Sequence, residues 1–259
     1  MKIIDCFTYF DEEIILDLRL NILNSYVDKF VITEGKFDHR GRKRKTIFNI
    51  DKFKQFKDKI IYIKVEDFPN LNDPWSMLRH QRNKILSSLK QFNEEDYILI
   101  SDVDEIPNPK NIEEFFKSQK KIGIFKQKMY YYKFNILNCT ESDWFGSKIC
   151  KKKHLKSPDW LRGLKPKIYP WWRLDKERSI QIINNGGWHF SFLYNPEGIA
   201  KKLSSYQHSE FDNSNLNDIE KIKIKIDNYQ DIFGREYKYK RVELDHSFPQ
   251  YLLDNKSKF

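Results

Sequence analysis

The chain is poor in cysteine, with three in 259 residues. An odd and small number cannot build a disulfide framework, so Cys6, Cys139 and Cys150 are expected as free thiols in a reducing compartment. Nothing approaches 18 consecutive apolar residues, which excludes a transmembrane helix. The opening Met1-Lys-Ile-Ile-Asp-Cys-Phe lacks the apolar region and small-residue cleavage site of a signal peptide. A cytoplasmic protein is therefore expected, and the Asn138-Cys-Thr140 and Asn255-Lys-Ser257 sequons read as chance. No Gly-x-Gly-x-x-Gly follows the first strand, and no Walker loop, zinc spacing, Cys-x-x-Cys or Ser/His/Asp order is present. No period of 20 to 50 residues repeats, which excludes solenoids and propellers. Linkers rich in Gly, Pro or Ser are missing too, so a single domain is expected over 1–259.

What is present is a large core and an excess of positive charge. Hydrophobic residues make up 39% and aromatics 15% of the chain, enough to exclude disorder. The net charge of +10 suits a polyanionic partner: nucleotide phosphates, an anionic membrane surface at the inner face, or nucleic acid. A compositional bias toward lysine accounts for it equally well.

The chain is organised around Asp96-Tyr-Ile-Leu-Ile-Ser-Asp102-Val-Asp104-Glu105-Ile-Pro107. Tyr97 to Ile100 is a short apolar run of the kind covered on both faces of a sheet. It ends in three acids within four residues and a proline that cannot continue a ladder. Residues i and i+2 of an extended chain project to one side, so Asp102 and Asp104 can aim at one point. A hard divalent ion, Mn²⁺ or Mg²⁺, relieves the repulsion between two such carboxylates. Placement at the carboxyl end of a buried strand favours that reading over a solvated turn.

Three further strands precede this one, at 2–8, 29–33 and 59–65. Between them, Ile14, Ile15, Leu18 and Ile22 mark one helix face after Asp11. Asp73-Pro74 starts a helix that carries Arg79 and Arg82. Strand–helix alternation predicts an α/β fold with a Rossmann-like, mostly parallel sheet flanked by helices. Residues 1–107 would form a nucleotide-binding half and 108–259 a mixed-sheet, acceptor-binding half. In that second half 122–136 reads as one or two aromatic strands, 145–151 and 179–183 as short strands, and Gly186 to Tyr194 as a strand carrying His189. Helices are expected after Asn195-Pro196 and over 219–226.

Several residues could carry chemistry. His189 is a third metal ligand if it meets the aspartates, and otherwise a core histidine. His208 is a second candidate, as metal neighbour or substrate contact. The run His39-Arg-Gly-Arg-Lys-Arg-Lys45 is either a solvated loop or, through Arg42 and Arg44, a clamp for a phosphate or an anionic acceptor. Arg79 and Arg82 are placed for a nucleotide phosphate. Trp171, Trp172 and Trp188 offer flat faces to sugar rings, unless they are core. Asp11 and Glu34, after the first two strands, could meet uridine or the active-site loop.

Asp102-Val-Asp-Glu-Ile-Pro107, Gly187-Trp-His-Phe-Ser191 followed by Pro196-Glu-Gly-Ile199, and Pro249-Gln-Tyr-Leu-Leu-Asp-Asn255 together resemble glycosyltransferase family 17. The opening through Val27-Asp-Lys-Phe-Val-Ile-Thr-Glu34 is similar as well, so the likeness spans nearly the whole chain in order. It implies a GT-A-type glycosyltransferase fold and inverting transfer from a UDP-sugar to a glycan, glycolipid or glycoprotein, with GlcNAc the expected sugar. It also implies a divalent metal at Asp102 and Asp104, with His189 and the donor-side Trp188 in the matching Gly-Trp-His. A carboxylate must deprotonate the acceptor, with Asp143 the first choice and Glu141 and Glu105 behind it. The competing expectation is a nucleic-acid-binding protein or metal nuclease that uses the basic run and the same aspartates, for which no recognised nucleic-acid motif is present.

Overall fold

The structure, a computed structural model, describes residues 1–38, 40–70, 73–167, 169–205 and 217–259. Strand β1 (Ile3–Tyr9) leads into helix α1 (Glu13–Leu23), β2 (Lys29–Gly35), β3 (Ile60–Val65), α2 (Pro74–Asn83), α3 (Ile85–Leu89) and β4 (Tyr97–Asp102). The four strands lie parallel in the order β3-β2-β1-β4. Pro74 follows Asp73, whose side chain accepts from the Trp75 N–H, as expected of a capped start. No side chain caps α1 in this way. The Glu12 carboxylate instead turns back to accept from the N–H groups of Phe10 and Asp11.

The first sheet is covered on both faces, which is why its strands read as continuous apolar runs. Phe7, Phe30 and Ile32 pack with Leu16, Leu20 and Leu23 of α1 on one side. Cys6, Val31 and Ile100 pack with Ile85 and Leu89 of α3 on the other. Each fully buried leucine of this kind removes side-chain surface worth roughly 1.5–3 kcal/mol from water.

Beyond β4 the chain forms β5 (Glu105–Pro107), α4 (Ile112–Lys117), β6 (Ile122–Phe125), β7 (Gln127–Tyr131), β8 (Ile136–Asn138), β9 (Asp143–Trp144) and β10 (Lys148–Lys151). Then come α5 (Pro158–Gly163), β11 (Ile180–Ile183), β12 (Gly187–Ser191), α6 (Pro196–Ser205), α7 (Ile219–Asp227), β13 (Tyr239–Arg241) and α8 (Gln250–Asp254). The aromatic run at 122–136 is divided between two sheets. Strand β6 joins β10 and β11 to complete a seven-stranded sheet, β11-β6-β10-β4-β1-β2-β3. Strands β7 and β8 belong to a second, mixed sheet, β13-β8-β7-β12-β5, with β9 paired to β7. Residue 107 is thus no boundary within the first sheet, which takes three strands from beyond it.

Strand β5 carries Pro107 and still pairs, antiparallel to β12. It lies at the end of its sheet, where a missing N–H costs no ladder bond. Gly187 makes this approach possible. Its φ is +125°, and a Cβ there would stand 2.2 Å from the Ile106 carbonyl oxygen. The turn between β4 and β5 therefore links the two sheets, and it contains Asp102, Val103, Asp104 and Glu105.

Candidate active site

Arg19 holds that turn from below. It is fully buried on α1, where the helical pattern calls for an apolar residue. Its guanidinium pairs with the buried Asp5 carboxylate at 2.6 and 2.8 Å and donates to the Ser101 hydroxyl at 2.5 Å. Its Nη1 also donates to the backbone carbonyls of Asp102, Val103 and Glu105, at 3.2, 3.2 and 2.8 Å. A planar fork with fixed donor directions suits this task as an ammonium does not. Asp5 and Arg19 are opposite charges in consecutive apolar elements, a signal legible in the sequence but not read there.

Asp102, at the end of β4, accepts from Arg82 through Oδ1 and from Arg162 through Oδ2, both at 3.0 Å. Arg82 also holds Asp159 at 2.7 Å. Burial alone would raise the Asp102 pKa, but Arg162 and Arg82 outweigh it and hold the carboxyl well below its usual range. Asp104 points elsewhere. Its Oδ2 lies 3.7 Å from Nε2 of His189 and 3.9 Å from the Lys202 ammonium. Burial again opposes ionisation, and His189 and Lys202 lower the pKa despite it.

His189 is buried on β12, stacked on Trp144 with ring centres 4.8 Å apart. Among the described residues its Nδ1 meets no hydrogen-bond partner. Glu105 lies beneath, accepting from the Trp144 indole at 2.6 Å, the Asp102 backbone N–H at 2.8 Å, and Arg162. Gly146 makes room for it, because a Cβ there would fall 2.1 Å from the Glu105 carboxyl. Lys148, also buried, donates to the Arg162 carbonyl, and burial followed by Arg162 lowers its pKa to about 7.

The donor set can be tested against a divalent ion. Among the described residues no three His, Cys, Asp or Glu side chains converge as a metal cage. Both Asp102 oxygens accept from guanidinium groups, whereas Asp104 is turned toward His189, so the two aspartates do not aim at one point. Asp104 and His189 do face each other, and a carboxylate with an imidazole fits Mn²⁺, with water and phosphate oxygens in its other positions, better than the all-oxygen preference of Mg²⁺.

The other sequence candidates are placed as follows. Arg79 is exposed and 3.6 Å from Asp73, on α2 but not with Arg82 at Asp102. Asp11 accepts from Tyr194 at 2.7 Å and Lys201 at 2.9 Å, beside Glu12. Glu34 is buried beneath the following loop, accepting from the N–H groups of Ile47 and Phe48 and from Tyr62. Arg44 joins Glu34 at 3.1 Å and donates to the Phe10 carbonyl. Arg42 holds Asp38 and the Ser204 carbonyl. The basic run therefore ties loops together through Arg40, Arg42 and Arg44. His39 and His208 lie outside the described residues.

Strand direction separates the rest. Trp188, Lys128 and Asp143 share one face of the second sheet, whereas Glu105, Trp144 and His189 share the other. Trp188 donates to the Ser247 carbonyl and packs in the core. Asp143 is bound to Lys126 and Lys128 at 2.8 and 3.0 Å. Glu141 is exposed near Tyr237. Trp171 and Trp172 stand on the loop between α5 and β11, 76% and 64% exposed. Thr8, whose hydroxyl donates to Asp102 at 3.4 Å, and Glu12, Asp159, Arg162 and Lys202 are further site residues that sequence reasoning missed, because nothing local marks what long-range packing brings together.

Comparison with known proteins gives a consistent picture. Two curated relatives, both called β-1,4-mannosyl-glycoprotein 4-β-N-acetylglucosaminyltransferase, are 26% (Rattus norvegicus) and 25% (Homo sapiens) identical over 95% of this chain. The chain spans about half of their length, 51% and 52%. Two crystal structures of S. aureus TarS are 14% and 16% identical over 78% of this chain, covering 38% and 63% of theirs. Their TM-scores of 0.41 and 0.42 are too low to carry anything about this site. The model of glycosyltransferase family 17 matches residues 1–259, and the chain belongs to that family.

Proposed function

We propose that the protein transfers a sugar, GlcNAc in the first instance, from a UDP-sugar to a hydroxyl of a glycan, glycolipid or glycoprotein by a single inverting displacement. The observation that carries this reading is the β4–β5 turn. It places Asp104 opposite His189 and Asp102 between two arginines at the carboxyl end of a central parallel strand. The name of the curated relatives supports GlcNAc as the sugar.

Arg82 and Arg162 neutralise the charge that grows on the leaving diphosphate, in a buried setting where such stabilisation is strong. A divalent ion held by Asp104 and His189 would add Lewis-acid neutralisation of the same charge. Arg19 keeps the turn rigid, so the carboxylates need not reorganise as the reaction proceeds. Glu12 takes the proton from the attacking hydroxyl. It faces Asp104 and Lys202, and burial raises its pKa, which makes it a stronger base than an ordinary carboxylate.

Thermal unfolding with and without UDP and Mn²⁺ tests the reading. Stabilisation by the two together in the native protein, lost in Asp104→Asn, is expected. No shift with UDP and Mn²⁺, alongside a salt-sensitive shift with single-stranded nucleic acid, would reverse it.

A further inference from the structure

The loop between α5 and β11 presents apolar side chains to solvent that the rest of the fold would bury. Leu174 is 83% exposed, beside Trp171 and Trp172. The two indoles meet edge to face with centres 5.9 Å apart. The loop is folded on itself. The N–H groups of Arg173, Leu174 and Lys176 donate to the carbonyls of Pro170, Trp172 and Arg173. Arg178 donates to the Trp171 carbonyl, and Arg173 pairs with Asp175 at 2.8 Å. Pro166 and Pro170 stiffen the approach. Three apolar side chains are thus held outward on a preformed turn.

The surrounding charge narrows what could cover them. Lys165, Lys167, Arg173, Lys176 and Arg178 lie within 164–178 against only Asp175 and Glu177, a net +3. All five basic residues are exposed. A sugar ring would be served by the indoles, but it has no use for an aliphatic leucine at the tip. A second protein chain of ordinary surface would not match the cationic rim. Indole and leucine side chains that seek the hydrocarbon boundary, ringed by lysine and arginine that seek headgroup phosphates, match an anionic lipid surface.

We infer that the 164–178 loop docks the protein on anionic membrane lipid, with Trp171, Trp172 and Leu174 entering the interface and the basic residues resting on headgroups. Because the loop begins two residues after Arg162, docking holds the catalytic turn close to the membrane, where a lipid-linked acceptor would be presented. The inference does not depend on which donor the site takes.

Co-sedimentation with vesicles of phosphatidylcholine alone, or with about a third phosphatidylglycerol, tests it on the full chain without donor or acceptor. Binding to the anionic vesicles about tenfold or more above the neutral ones is expected, falling with salt, together with a blue shift of tryptophan emission. The W171S/W172S/L174S variant should lose that partition and the blue shift while its thermal midpoint stays within a few degrees. K165E/K167E should weaken binding and retain the residual blue shift at high protein. Equal binding to neutral vesicles, or unchanged binding of the triple variant, overturns the inference. So does a triple variant whose only change is loss of self-association, or a wild-type blue shift produced by soluble oligosaccharide and not by vesicles. A separate UDP thermal shift reports on the catalytic reading, so either can fail alone.

Discussion

Arg162 and Asp102 lie 60 residues apart in the chain and 3.0 Å apart in the fold. The contact is made through a six-residue helix whose start is set by Ser157, which accepts from the Trp160 N–H, and by Pro158 behind it. Arg162 serves Asp102 and Glu105 together, so one guanidinium fixes the turn's first carboxylate and the buried acid beneath it. Arg82 completes the pair from the opposite side.

Replacing Arg162 by Met leaves Glu105 without its cation, and a broken buried pair costs about 3–5 kcal/mol. The pH dependence follows from Asp102. Its depressed pKa contributes stability that is present above the unfolded-state pKa of about 4 and is lost as the pH falls through the folded-state value. Removing Arg162 lets that folded-state value rise, so less is left to lose. Urea titrations should show the gap between native protein and variant widest at neutral pH and narrowing as the pH drops below about 4. A gap that does not change with pH would mean Arg162 acts by packing alone.

Arg19→Met should be as severe, about 3–5 kcal/mol, because Asp5 is left charged and buried. Adding Asp5→Leu removes the orphan and should recover most of the loss in unfolding midpoint. Activity should not return with stability, since the carbonyls of Asp102, Val103 and Glu105 still lack their donor. A stable double variant with full kcat would show that the turn holds its shape unaided.

How much of this could be read beforehand varies with the range of the interaction. The first four strands, their parallel sense and the acidic turn follow from local patterns: apolar runs alternating with a helical stripe, and acids at a strand end. Arg19 hid because it sits where that stripe is otherwise leucine. Glu34 after β2 reads as a contact to uridine or to a loop, and the structure gives it a loop: backbone N–H groups crossing buried ground need an acceptor, and those of Ile47 and Phe48 use it. The aromatic run at 122–136 reads as one or two strands, but nothing local shows that β6 and β7 enter different sheets. Arg162 was unreadable for a simpler reason: nothing in Asp159-Trp-Leu-Arg162 says where a short helix will dock.

The base can be assigned by comparing Glu12→Gln with Asp143→Asn. Glu12 lies on the side of Asp104 and Lys202, whereas Asp143 is turned to the opposite face with Lys126 and Lys128. Glu12→Gln should lower kcat by about 10²–10⁴ with UDP affinity retained. Asp143→Asn should stay within about twofold of the native rate. The reverse result would place the acceptor on the Trp188 face of the second sheet.

Lys148 supplies a second test of the buried charge network, in a higher pH window than that of Arg162. Burial lowers its pKa from the ordinary lysine value to about 7, with Arg162 adding to the effect and Glu105 and Asp102 opposing it. Below about 7 the folded and unfolded states are both protonated, and the full cost of the buried ammonium is present. Between there and the ordinary lysine value the unfolded chain binds more protons than the folded one, so stability rises with pH, by at most about 1.4 kcal/mol per unit. Lys148→Met lacks this term, though it also gives up the bond to the Arg162 carbonyl. Denaturant midpoints at pH 6.5, 8 and 9.5 should therefore show the native protein gaining on the variant as the pH rises. Parallel curves would mean that Lys148 keeps its proton throughout, held by Glu105 and Asp102 more firmly than burial loosens it.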